Sequence, residues 1–367
     1  MKKKGNIMTL RRALSILAVL TGAPLAACAD IPITPVFSSP LLVNGVMTTA
    51  QGRMFVVVQP QHRPDEPQLS EVKSGRVTPY PDALWNSWIP GQSAVGRFVG
   101  VNSARLGPDG ALWVVDRGSE GLGSPQIPGA ARLIRIDISQ AKVTRVYDLE
   151  KVISSQSFVD DVRFNSDHAY LTDAGQPGLI VLDLASGNAW REFDGDKSVT
   201  VQRPMRAEGK DLRFPDGDPV KIHADQLEVS QDGQWLYFQP ASGPMSRIQT
   251  RLLDHAVPND SSLPTYVQPY ADTNTTGGTA MAANGTIYAS DTDRSSILAI
   301  GPNGKIRTLF ADPRLAWVDA MWIDEQGNLL MPAVQINRTP TLNHGRNDAK
   351  PPFIIYRAAI GAQPVRR

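Results

Sequence analysis

Six stretches of this chain share one short design: a polar turn, mostly closed by glycine, followed at once by an apolar run. Gln51-Gly52 precedes Met54 to Val58, Asp109-Gly110 precedes Leu112 to Val115, and Asp167-His168 precedes Tyr170-Leu171. Asp232-Gly233 then leads into Trp235 to Phe238, Asn284-Gly285 into Ile287 to Ala289, and Gln326-Gly327 into Leu329 to Met331. Asn-Gly and Asp-Gly pairs between apolar segments mark tight hairpins, because both residues accept positive φ. The turn positions 52, 110, 168, 233, 285 and 327 are 58, 58, 65, 52 and 42 residues apart. A hairpin recurring at such intervals is one supersecondary unit used six times.

Several units carry a second strand pair. Ile134, Ile136 and Ile138 alternate with Arg135 and Asp137; Leu179 to Leu184 turns at Ser186-Gly187 toward Trp190; Ile297 to Ile300 turns at Asn303-Gly304 toward Phe310. Strands buried on both faces read as continuous apolar runs, and half-exposed ones alternate. Four strands per unit, six units: the expectation is an all-β, six-bladed β-propeller with four-stranded blades over residues 43–360, followed by a tail at 361–367. Phe353 to Tyr356 is expected to close the ring by pairing with N-terminal chain. A β-sandwich offers no reason for six units with the same internal order. Thirty glycines and 29 prolines fit so many turns.

Counting back eight residues from each turn position lands on Asn44, Asn102, Asp160, Asp225, Gly277 and Asp319. In a propeller this offset falls near the start of each innermost strand, so the side chains should converge on one mouth of the central channel. One reading is local: Asn and Asp open strands because they satisfy nearby backbone groups. The other is an oxygen-rich site for a small molecule, with Asn102, Asp160, Asp225 and Asp319 as candidate ligands for a hard cation such as Ca²⁺. Crowded carboxylates hold protons to higher pH, which makes Asp160 or its neighbour Asp161 candidate proton carriers. Trp317, two residues before Asp319, is the aromatic placed near the mouth, and His223 lies near Asp225.

The first residues read as an address. Lys2, Lys3, Lys4, Arg11 and Arg12 precede the apolar run Ala13 to Leu20 and a small-residue region to Ala27. This is a signal-peptide layout. The chain's single cysteine ends it, in Leu25-Ala26-Ala27-Cys28, which resembles the bacterial lipobox. Residues 1–27 are therefore expected to be a lipoprotein signal, Cys28 the lipidated residue, and 28–42 a tether. A plain signal peptide cut nearby is the alternative. The expected location is the bacterial cell envelope, exported and lipid-anchored. Loss of residues 1–27 takes the basic count from 37 to 32 against 36 acidic residues, a formal −4. Such a balance removes the electrostatic case for nucleic acid.

Other motifs are weaker. One cysteine excludes disulfides and multi-cysteine metal sites within the chain. His62, His168, His223, His255 and His344 show no metal-ligand spacing. Ser70-x-x-Lys73 lacks its partner motifs, and the polar loop Asp211 to Asp218 reads as solvated. Trp113, Trp235 and Trp322 read as core.

Ser157-Phe158-Val159-Asp160-Asp161-Val162-Arg163, followed by Ala169 to Gly175, resembles the central signature of the Yellow and major royal jelly proteins. Leu179 to Asp183 with Trp190-Arg191 continues the likeness. So do Trp113 to Gly118, Pro79-Tyr80-Pro81 to Trp85-Asn86, Leu315 to Asp319, and Pro351-Pro352 before Ile354-Ile355-Tyr356-Arg357. The resemblance implies a six-bladed propeller. It also implies one of several tasks: dopachrome isomerisation, binding of biogenic amines, or a nutritional or structural role. A broader similarity to gluconolactonase-like propellers implies a metal at the channel. Where the family commonly opens blades four and five with Asp-Gly, this chain has Asp225-Gln226 and Gly277-Gly278. Three functions follow: a propeller binding a small cationic or cyclic molecule, an isomerase or lactonase using Asp160 or Asp161, and a non-catalytic interaction protein.

Overall fold

The computed structural model describes residues 1, 31–59, 66–258 and 260–366. Cys28 and His62 lie outside them. Residues 31–367 form one compact unit. It contains six four-stranded antiparallel sheets, the six blades of a β-propeller.

Each blade runs outward from the channel. Blade 1 is Val43–Thr48, Met54–Val58, Leu69–Lys73 and Arg76–Pro79; blade 2 begins with Val101–Leu106, blade 3 with Val159–Asn165, blade 4 with Ala224–Val229 and blade 5 with Thr276–Met281. In blade 6, Trp322–Ile323 is innermost, followed by Asn328–Ala333 and Phe353–Ala359. The expected hairpin turns join first to second strands, and Gly52, Gly110, Gly233, Gly285 and Gly327 all take the positive φ those turns require.

The core lies between blades. Each of the six interfaces has its own apolar cluster, as where Trp113, Leu133 and Tyr147 of blade 2 meet Val162, Phe164 and Ile180 of blade 3. Second strands are sandwiched most deeply, with Leu112–Ser119 buried throughout, while outer strands such as Arg76–Pro79 face solvent. Trp113 is core as expected, and Trp235 and Trp322 are partly buried against theirs.

The termini differ from expectation in one respect. Ile33–Ser39, inside the stretch read as a tether, is the outermost strand of blade 6 and pairs antiparallel with Phe353–Ala359. Without it the edge of Phe353–Ala359 would stand unpaired. Pro35 is tolerated there because an outermost strand can spare an N–H. The C-terminal residues also dock: Ala283 donates its amide to Gln363 O, and Ala362 is buried.

Inner strands start on one face, called upper here, and the hairpin turns lie on the lower one. The long connections at 80–100, 193–223 and 334–352 belong to the upper face. No helix among the described residues is long and apolar enough to cross a membrane.

Candidate functional site at the channel mouth

Asn44, Asn102, Asp160, Asp225 and Gly277 each occupy the second position of an inner strand. At each, the pairing with the second strand slips: Val101 faces Asp116 and Ser103 faces Val115, leaving Asn102 unpaired between them. The same irregularity falls at Asn44, at Asp160-Asp161, at Asp225 and at Gly277-Gly278. A β-bulge re-aims its extra residue away from the pleat. Here it turns five successive side-chain positions toward the axis. Asp319 completes the ring just ahead of the short blade 6 strand, with its amide on Pro332 O.

All six ring positions and Trp317 line one cavity of about 680 Å³ on the upper face. The ring is laced together. Asn44 Nδ2 donates to Asn102 O at 3.0 Å, and Asn102 Nδ2 donates to Asp160 Oδ1 at 2.7 Å. The Asp160 and Asp225 carboxyls are hydrogen-bonded to each other. Gln226 Nε2 donates to Asp225 Oδ2 and to Thr276 O, carrying the ring on to blade 5. The indole of Trp317 and the amide of Ala320 donate to Asp319.

Burial is the first cause of the raised pKa values here, and for Asp160 and Asp225 repulsion by neighbouring carboxylates is the second. Asp160 and Asp225 are pushed well above the usual carboxylate range by desolvation and by the charges of their ring neighbours. Asp319 is pushed up to about 7 by burial, against the pull of the Ala320 amide and the Trp317 indole. Among the described residues, one guanidinium faces this group. Arg117, buried and lowered to about 10 by desolvation, places Nη1 at 3.5 Å from Asn102 Oδ1 and stacks over Phe158.

Asp161 does not join the ring. Its carboxylate points down the channel, where Arg105 binds it through Nε and Nη2 and Arg163 Nη1 reaches it at 2.8 Å. Burial alone would raise its pKa, but the two arginines overcome that and hold it ionised, well below the usual range. Of the two neighbours proposed to move a proton, only Asp160 therefore reaches the upper cavity with a proton to share. Arg163 continues to Glu228, Thr279 Oγ1 donates to Glu228 Oε1, and Arg105 Nη1 donates to Met321 O. This belt touches blades 2 to 6 and stands between the upper cavity and a second one of about 820 Å³ at the lower face.

Sequence reasoning missed the belt, yet a signal was present. Arg105, Arg163 and Glu228 each follow their ring residue by three positions. His223 accepts the Val201 amide at Nδ1 and is lowered by burial. The Asp211–Asp218 loop keeps Asp216 and Asp218 exposed, and Lys73 of the Ser70-x-x-Lys73 stretch pairs with Glu71.

The ring's donors are all oxygen, the chemistry that suits Ca²⁺. Among the described residues, however, no three His, Cys, Asp or Glu side chains stand where they could hold a metal ion.

Fold and site together define a six-bladed propeller with an acid-lined channel mouth. The family model for the major royal jelly proteins matches residues 106–354, and the chain belongs to that family. No curated protein matches it in sequence. Among solved structures it is similar to the calcium-binding protein regucalcin of Agrobacterium tumefaciens, at 14% identity over 91% of this chain and 95% of that one, with TM-score 0.55. A gluconolactonase of Xanthomonas campestris is similar at 13% identity, over 92% and 93% of the two chains, with TM-score 0.54. A luciferin-regenerating enzyme is similar at 10% identity, over 91% and 97%, with TM-score 0.52. At these identities the likeness is one of fold.

Proposed function

We propose that this propeller binds a small cationic, partly cyclic molecule in the upper cavity. One observation carries the reading: Glu66, Glu120, Asp160, Asp225 and Asp319 line that cavity, and among the described residues Arg117 is its one basic lining residue. A low-dielectric pocket with such a surplus of acid attracts a compact cation. Phe158 and Trp317 supply ring faces and edges for the ligand's apolar part. The ligand's charge would replace the proton shared by Asp160 and Asp225. A thermal-shift screen with catecholamines, lactones and divalent ions tests this on residues 28–367, with Asp160→Asn and Asp319→Asn alongside. Stabilisation by amines that either variant weakens at least tenfold supports the reading. Shifts indifferent to both variants overturn it.

A second reading rests on the Asp160–Asp225 pair itself. Two carboxyls sharing a proton beside Asp319 can take a proton from one atom of a bound cyclic substrate and return it to another, which is isomerase chemistry. Dopachrome turnover indistinguishable from buffer would remove it. Ca²⁺ is the third candidate occupant, supported by donor chemistry alone; metal analysis of purified protein decides it.

We further propose that the protein works outside the cytoplasm, held to a membrane by lipid on Cys28. Labelled fatty acid incorporated by the wild type and absent from Cys28→Ser is the expected result.

A further inference from the structure

Two insertions meet over the acid ring. One is 193–223, between blades 3 and 4; the other is 334–352, inside blade 6. They share an apolar cluster in which Met205, Leu212 and Val220 of the first pack with Val334 and Leu342 of the second, and Trp317 is buried among them. Backbone bonds tie them as well: Arg213 donates to Leu342 O and His344 to Arg213 O. From below, Ile222, Ile336, Leu342 and Pro351 form a wall of the upper cavity. The cavity thus has an acidic floor and a partly apolar cover.

Glu208 fastens that cover. Arg206–Ala207 and Lys210–Asp211 form a two-residue hairpin with Glu208 and Gly209 at its tip. The hairpin stands on blade 5, where Glu208 N donates to Thr292 O and Gly209 N to Asp293 Oδ1. From the tip the Glu208 carboxylate accepts two bonds from Arg338, through Nε at 2.9 Å and Nη2 at 2.5 Å, and one from Asn337 Nδ2 at 2.7 Å. Arg338 in turn donates from Nη1 to Gln335 Oε1 and accepts the Asp348 amide on its carbonyl, so both ends of the 334–352 insertion hang on this contact.

The backbone marks Glu208 as selected for reach. Its φ is +50 and that of Gly209 is +78. A turn with positive φ at both central positions favours Asn-Gly or Asp-Gly, and a glutamate there is strained. The longer side chain is what spans to Arg338.

We propose that the two insertions are a size-selective cap over the acid ring, and that Glu208 is the positioning residue that keeps it shut. The selectivity half rests on the cation-binding reading above. Small cations pass under the closed cap, whereas bulky ones need the 334–352 insertion to swing away.

Glu208→Asn separates the clamp from the fold, because Asn suits the turn but is too short to hold Arg338. Two measurements on residues 28–367 decide the proposal. First, hydrogen exchange of backbone amides at 335–350 should speed up at least tenfold in Glu208→Asn, with little change in Glu208→Gln, whose amide oxygen still accepts from Arg338. Second, calorimetry with tetramethylammonium and tetrabutylammonium should show the wild type preferring the small ion at least tenfold. In Glu208→Asn that ratio should fall toward one through gain of the large ion, with thermal stability unchanged or raised. Unchanged exchange overturns the clamp, and an unchanged ratio overturns the size filter. If neither ion binds the wild type, the cation reading and the size filter fall together while the exchange result still decides the clamp.

Discussion

Asp160 and Asp225 sit on the inner strands of adjacent blades, are both half-buried, and hydrogen-bond through their carboxyl groups. Two carboxylates cannot make that contact; one must carry a proton. Each occupies a bulge, so the pair is set by strand geometry before any ligand arrives. Burial and neighbouring charge push both carboxyls well above the usual carboxylate range, so the mouth of the folded channel favours bound protons.

Asp319→Asn should make the protein more stable above neutral pH. In the unfolded chain the carboxyl ionises near its ordinary value of about 4, whereas in the fold it keeps its proton up to about 7. Between these values the folded state binds more protons, so stability falls as pH rises through the window and the full cost is present above it. Asn keeps an oxygen for the Ala320 amide and the Trp317 indole and removes the charge. Urea unfolding at pH 4, 6 and 8 is expected to show the two proteins converging at pH 4 and the variant ahead by a few kcal/mol at pH 8. A constant difference across pH would contradict the assignment.

The belt behaves in the opposite sense. Asp161 is held ionised by Arg105 and Arg163, so its contribution is present above about pH 4 and lost as pH falls toward its depressed value. Replacing Asp161 with Asn leaves two buried guanidinium groups short of charge, and breaking a buried pair in this way costs about 3–5 kcal/mol. That loss should appear at pH 7 in urea unfolding and shrink at pH 3. Loss of equal size at both would mean the carboxylate's charge contributes nothing.

Much of this architecture was legible in the residues. The hairpin turns and the eight-residue offset located six blades and the ring because an inner strand and its turn have nearly constant length, which the bulge does not disturb. What escaped was long-range. Nothing in Asp160-Asp161 says which carboxyl faces up; the bulge decides that, and the arginines that claim Asp161 stand 56 residues earlier in blade 2 and two residues later in its own strand. Glu208 meets Arg338 across 130 residues. The N-terminal strand was half legible: Phe353 to Tyr356 called for pairing with N-terminal chain, as found, but Pro32, Pro35 and Pro40 made the stretch that supplies it read as a tether.

The gap in the ring at blade 5 is a packing requirement. A Cβ at Gly277 would lie 2.4 Å from Val318 O, and one at Gly278 2.2 Å from Asp319 O. Backbone of blade 6 passes where side chains would begin. Ser290 Oγ accepts both glycine amides and donates to Val318 O, filling the remaining space. Gly277→Asp, which would restore a fourth carboxylate, is expected to destabilise by roughly 1–3 kcal/mol or more, as overpacking does. A variant as stable as wild type in urea would show that blade 6 can yield.

Closure of the ring by Ile33–Ser39 yields the last expectation. Phe37 is 8% exposed and packs with Val46, Val56 and Ile355 at the interface of blades 6 and 1. Phe37→Ala should cost about 3–5 kcal/mol, the usual loss for a large buried aromatic. Deleting residues 31–39 should do more, because it uncovers the backbone edge of Phe353–Ala359, which pairs with Ile33–Ser39 from Ile33↔Ala358 to Ser39↔Phe353 with one shift between Pro35 and Phe37. An open edge of that length recruits another chain. Light scattering of the truncated protein should therefore report dimers or larger species at concentrations where the wild type is uniform. A synthetic peptide of residues 31–40 added in trans should reverse the association. A truncated chain with wild-type stability and size would show that the strand merely rests on blade 6 and does not close it.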